Sequence, residues 1–221
     1  MLRYIAAAAA GLSLLASAAV AQSPRLETVD GNIFLIESTL RRQLTTGGSD
    51  SDAVISPDGR WVAFVRTDKT HPVDLNKEPS ISSLYVMAST SKVPRLLISR
   101  GTPCGKNRFL ADFASLDFLS DGVRLAFQSS WAAVHGSTQI VDVTTGLCKH
   151  VAAGNRLYVV KRGKYRDHLL VSLHKYFVTT GTYDWWWLLT PNGIEIGPVA
   201  EDTDGDSDDL REFREMYEDD P

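Results

Sequence analysis

Asp202, Asp204, Asp206 and Asp209 crowd four carboxylates around Gly205, a supply of hard oxygen ligands whose natural ion is calcium. The set is not an EF-hand loop, because its glycine is misplaced and the twelfth position from Asp202 is Phe213 where that loop needs Glu. A solvated acidic linker uses the same residues without a metal, and no cofactor other than calcium is expected. Cys104 and Cys148 are the two cysteines of the chain. They form either a disulfide or a reactive thiol with His150 as its base. Tyr183-Asp184-Trp185-Trp186-Trp187 is the densest aromatic cluster. On a strand it sends Trp185 and Trp187 to one face and Trp186 to the other. Aromatic faces stack on sugars and peptides and anchor interfaces, so Tyr183, Trp185 and Trp187 are candidate partner-binding residues. Packing between sheets is the alternative use.

The remaining chemistry-bearing residues form no recognisable constellation. His71, His135, His150, His168 and His174 are scattered without zinc-ligand spacing. Thr46-Gly47-Gly48-Ser49 lacks the lysine and helix of a phosphate-binding loop. No Gly-x-Ser-x-Gly elbow occurs, so no catalytic residue is assigned and the protein is expected not to be an enzyme.

The elements that must position these residues are hairpins. Ala53-Val-Ile-Ser-Pro-Asp-Gly-Arg-Trp-Val-Ala-Phe64 is a short apolar run, a turn and a second apolar run. Pro57 presets φ, Asp58 bonds nearby amides and Gly59 accepts the positive φ of a tight loop. Leu116 to Phe127 repeats the design, with Asp121-Gly122 in place of Asp58-Gly59. Each hairpin is followed by two further strands, at 83–87 and 94–98 and then at 139–143 and 147–151. A more diverged third unit runs through Leu157-Tyr-Val-Val160, 167–173 and Trp185 to Ile196. Repeating four-stranded antiparallel units predict an all-β protein, a small or incomplete β-propeller, with a short acidic C-terminal helix. The units span about 49–100, 109–155 and 156–200, and strands within 30–47 are expected to close the ring by completing the last blade. A larger ring would require a second chain, so a homo-oligomer is among the expected partners.

Export determines how the cysteines are read. Arg3, the apolar run 4–20 and Ala19-Val20-Ala21 form a cleavable signal peptide over 1–21, which predicts a periplasmic or secreted protein and favours the disulfide. After cleavage no run is long enough to span a membrane. The chain is 43% hydrophobic and 23% charged with a net charge of −4, which excludes a generally basic nucleic-acid binder. The charge is unevenly placed. The tail 201–221 carries 11 acidic and 2 basic residues, whereas 22–200 carries 16 acidic and 20 basic. The basic stretch 161–166 is therefore a hairpin turn, or a surface for an acidic partner or for the tail itself. Residues 208–217 read as a helix with Leu210, Phe213 and Met216 or Tyr217 on one stripe.

The string Ile55-Ser-Pro-Asp-Gly-Arg-Trp-Val-Ala-Phe64, followed by Leu84-Tyr-Val-Met87 and Arg95-Leu-Leu97, resembles the WD-repeat-like propeller unit of the TolB-type family. The second unit departs from it at Ser120, where Pro is usual, and at Val123, where Arg is usual. The resemblance implies a periplasmic protein-interaction scaffold that binds an envelope protein or a small ligand. The same repeat is similar to the propeller that caps prolyl-oligopeptidase-like enzymes, which makes an enzyme-associated propeller the alternative.

Overall fold

Asp30 and Gly31 both take positive φ, 50° and 68°, the two-residue turn geometry whose twist matches a hairpin. They join β1 (Arg25–Val29) to β2 (Asn32–Glu37), and β3 (Leu40–Gln43) pairs with the other edge of β2. The computed structural model describes residues 23–68, 81–105, 110–131, 135–177, 181–202 and 208–218. The expected signal peptide, His71, Asp204, Asp206 and the side chain of Asp209 lie outside the described residues.

This first sheet corrects the expectation that 30–47 closes the ring. β2 and β3 form a sheet with β1, and the last sheet already has four strands of its own. The strand β1, Arg-Leu-Glu-Thr-Val, offers only two apolar residues and escapes the apolar-run reading; its signal is the Asp30-Gly31 pair. Gly31 is required for a second reason, since a Cβ there would lie 2.5 Å from the carbonyl of Gly48.

Three four-stranded antiparallel sheets follow, each in chain order. The second sheet holds β4 (Asp50–Ile55), β5 (Trp61–Thr67), β6 (Ser82–Ala88) and β7 (Arg95–Ser99). The third holds β8 (Ala111–Phe118), β9 (Arg124–Trp131), β10 (His135–Asp142) and β11 (Cys148–Ala153). The fourth holds β12 (Leu157–Val159), β13 (Leu169–Phe177), β14 (Gly181–Leu189) and β15 (Glu195–Glu201). In the β4–β5 turn Ser56 Oγ donates to Asp58 Oδ1 at 2.6 Å and the Arg60 amide to the same oxygen at 3.0 Å. The β8–β9 turn repeats this with the amides of Val123 and Arg124 on Asp121 Oδ1. One shared feature is invisible to periodicity. Asp52 and Ser115, each six residues ahead of the turn aspartate, take positive φ where the β4 and β8 registers slip, a bulge that breaks the alternation of faces.

The sheets stack face to face, which explains why β5 reads Trp-Val-Ala-Phe-Val without alternation. Val62 and Phe64 point toward the first sheet, meeting Ile33, Leu35 and Leu44. Ala63 and Val65 point the other way, into a core with Phe113, Leu116, Phe127 and Val141 of the third. Ala126, Ile140 and Val151 then meet Val171, Leu173 and Leu189 of the fourth. Each large aliphatic side chain buried in these seams contributes roughly 1.5–3 kcal/mol of transfer free energy. The far face of the fourth sheet, Leu170, Trp186, Leu188 and Ala200, is covered by α1 (Asp208–Glu218) through Leu210 and Phe213. Among the described residues no core cluster joins the first sheet to the fourth. The sheets form an open arc of blades, and the helix sits where a further blade would stack.

Candidate functional site

The hairpin β13–β14 has the longest strands, nine residues each, and its register sorts the aromatic cluster onto two faces. Val171 opposes Trp187, Leu173 opposes Trp185 and Lys175 opposes Tyr183. Ser172 opposes Trp186 and His174 opposes Asp184 on the other face. Trp186, 6% exposed, is buried beneath α1. Trp187 packs against the seam between the third and fourth sheets. It is also roofed by Lys175, whose Nζ stands 4.4 Å from the ring centroid and bonds both oxygens of Glu195 at 2.8 and 2.9 Å. Tyr183 and Trp185 are half-buried and meet edge to face at 6.0 Å.

Toward the turn the hairpin carries aromatic residues on both faces. Tyr176 is 72% exposed, with its ring edge to face against His174 at 4.8 Å. His174 Nδ1 donates to Asp184 Oδ1 at 2.8 Å, a bond that fixes the imidazole tautomer. His174 and Tyr176 line a cavity of about 200 Å³ together with Ala153, Gly154 and Asn155. One face offers the Tyr176 ring beside an oriented imidazole, and the other offers Tyr183 and Trp185 next to a Trp187 ring roofed by a Glu195-paired ammonium, surfaces suited to recognition. Tyr176, His174, Lys175 and Asp184 are not singled out by composition. The signal that finds them is cross-strand pairing, since Lys175-Tyr176 lie opposite Thr182-Tyr183 once the hairpin is drawn.

The cysteines are joined. Cys104 and Cys148 form the expected disulfide, with a Cα–Cα distance of 5.1 Å, which leaves Cys148 no thiol for the alternative role of nucleophile. His150 instead receives or gives a hydrogen bond at Ser137 Oγ, 3.1 Å from Nδ1. Gln139 Nε2 donates to the same hydroxyl, and Ser129 Oγ donates to Gln139 Oε1. Burial lowers the pKa of His150 below its ordinary value.

Of the calcium set, Asp202 already has partners on both oxygens. Arg156 Nη1 donates to Oδ1 at 2.9 Å and Ser172 Oγ donates to Oδ2, which anchors the chain as it leaves β15. Asp209 lies in the first turn of α1. Among the described residues no three His, Cys, Asp or Glu side chains converge as a metal site. The basic stretch meets the tail, but through rings: Tyr165 stacks on Phe213 at 6.1 Å. Lys161 Nζ donates to Asp117 and to the carbonyl of Phe118.

Solved structures share this architecture. A putative TolB from Agrobacterium tumefaciens aligns with TM-score 0.52 and 17% identity over 81% of this chain and 58% of its own. Porphyromonas gingivalis dipeptidyl peptidase 4 aligns with TM-score 0.51 and 16% identity, over 81% of this chain and 31% of its own. The fold is an incomplete β-propeller, similar to that of TolB. The β-propeller domain of the Trilobed protease from Pyrococcus furiosus aligns at 0.49 and 14%, over 81% of this chain and 53% of its own. The chain thus spans less than two thirds of each of these three. No protein-family model matches it, and no curated protein matches it. The fold is shared by a putative TolB and a dipeptidyl peptidase, so the fold alone assigns no function.

Proposed function

We propose that this protein is an exported, non-catalytic propeller scaffold that binds an envelope protein or small ligand through the end of the β13–β14 hairpin. The observation that carries the reading is Tyr176, a large ring 72% exposed against His174 on one face of the hairpin, with Tyr183 and Trp185 half-buried on its other face. Aromatic side chains have few rotatable bonds and give contact area at little entropic cost, which is why they dominate interface energies. The compartment rests on the signal-like leader and on the disulfide, which persists in oxidising surroundings. Calcium, if bound, belongs to the acidic segment between β15 and α1 and not to this surface.

The alternative, an enzyme-associated propeller, draws on the His174–Asp184 pair at the edge of a cavity. Site-specific photocrosslinking separates the two. A benzophenone amino acid at Tyr176 should trap one defined partner in the envelope, while the same probe at Leu147, 75% exposed in the turn between β10 and β11, should trap none. Equal crosslinking at both positions would contradict the assignment.

A further inference from the structure

The first sheet has three strands and the second has four, so the stacked faces do not match in width. A cavity of about 360 Å³ lies between the β3–β4 connection and the second sheet, lined by residues 43–47, Arg66, Lys92 and Pro94. This cavity lies two blades away from the aromatic hairpin.

Its wall is built around one arginine. Arg66 Nε donates to Asp50 Oδ1 at 2.6 Å and Nη2 to Oδ2 at 3.0 Å. The Asp50 side chain is fully buried and that of Arg66 is 28% exposed. The guanidinium also stands 4.9 Å from the Tyr85 ring centroid and 5.3 Å from that of Phe64. A guanidinium carries five N–H donors in a fixed plane, and the bond pair to Asp50 uses two of them. The other three belong to Nη1 and the outer side of Nη2, the second fork through which arginine grips a carboxylate or phosphate bidentately.

The rest of the lining agrees with that chemistry. Lys92, exposed at the rim, supplies a second cation. Thr46 brings a hydroxyl, Thr45 Oγ1 accepts the Ile33 amide at 3.0 Å and Gln43 Nε2 donates to the Thr45 carbonyl at 2.9 Å, which fixes this wall, and no acidic residue lines the cavity among the described residues. Because the Asp50 charge is spent on Arg66, Lys92 leaves the site with a positive balance. A buried ion pair is costly to desolvate, and here it holds a guanidinium rigidly at a cavity wall.

We propose that this cavity binds the oxyanion group of a small ligand, a carboxylate or a phosphate, between Arg66 and Lys92. The site is independent of the aromatic hairpin and rests on different residues.

The test is a titration of the purified full chain, isotope-labelled, with inorganic phosphate in one arm and succinate in the other, followed by NMR. Saturable shifts are expected at Thr46, Gly47 and the Arg66 guanidinium, and the tighter arm identifies the oxyanion. Lys92→Glu should weaken that binding by about tenfold or more, the effect of losing one charge-assisted contact. Lys149→Glu makes the same charge change on the exposed third sheet and should leave binding unchanged. Lys92 is exposed, so its variant is expected to fold. Absence of saturable binding in both arms, shifts confined to other residues, or an equal loss in Lys149→Glu would each overturn the proposal.

Discussion

The carboxylate of Asp58 lies against Gly122, so close that a Cβ at Gly122 would sit 2.8 Å from Asp58 Oδ2. These are the turn residues of two successive repeats, and the chain of contacts continues. Ser120, in the second turn, donates its amide to Asp167 Oδ1 at 2.6 Å and its hydroxyl to Oδ2. The turns that make each hairpin also lock one blade to the next.

Gly122→Ala therefore adds a clash to the strain of a positive φ of 71°. Gly146 has a φ of 76°, and a Cβ placed there would meet nothing within 4 Å, so Gly146→Ala isolates the strain alone. Gly146→Ala should cost about 1 kcal/mol in chemical denaturation and Gly122→Ala clearly more. Equal costs would show that the Asp58 contact yields freely.

The Cys104–Cys148 bridge ties the segment entering the third sheet to its last strand across a separation of 44 residues. Closing a loop of that length stabilises by about 4 kcal/mol on the chain-entropy account. The double Cys→Ser variant should show that loss in its denaturation midpoint. A midpoint unchanged from the oxidised wild type would remove the bridge from the stability of the arc.

How much of this is legible in the sequence depends on whether a signal is local. Asp58-Gly59 and Asp121-Gly122 declare their hairpins because turn chemistry resides in two adjacent residues. The seams can be read from Trp61 to Val65, where both faces are buried and the run is continuous. The strand β1 escapes because its polar alternation resembles a loop, and the bulges at Asp52 and Ser115 escape because a slip in register leaves no compositional trace. At the candidate site, the separation of Trp186 from Trp185 and Trp187 follows from strand alternation alone. That Lys175 and Glu195 would roof Trp187, and that Tyr176 would be the most exposed ring among the described side chains of the hairpin, depends on pairing across strands and a bulge in β15.

The helix α1 acts as a lid on the last blade. Leu210 is 3% exposed and sits with Trp186 in one cluster. Leu210→Ala should destabilise by roughly 2–5 kcal/mol and shift tryptophan emission to the red as Trp186 meets water. An unchanged spectrum and stability would mean that the blade does not need its cap.

Stability should fall in two separate pH ranges. Burial lowers the pKa of His150 from its ordinary 6.5, so the unfolded chain binds that proton first. The contribution of His150 is complete above pH 6.5 and is lost as pH falls from there toward the folded pKa. Hydrogen bonds from Ser56 lower Asp58, and those from Thr144 lower Asp142, against an ordinary 3.8. Their contributions are complete above that value and disappear only as pH drops below it. Denaturation midpoints measured across this range should show both steps, and His150→Asn should remove the upper one alone. A wild-type profile flat between pH 7 and the carboxylate range would contradict the burial of His150.

Affinity capture from the native envelope tests the central claim most directly. The tagged protein is compared with Tyr176→Ser, Trp185→Ala and the distant surface variant Leu147→Ser. The account predicts one stoichiometric partner recovered by the wild type and by Leu147→Ser and lost from both hairpin variants, with the fold intact by circular dichroism. A partner retained by both hairpin variants, or recovery of the bait alone, would contradict recognition through the β13–β14 hairpin.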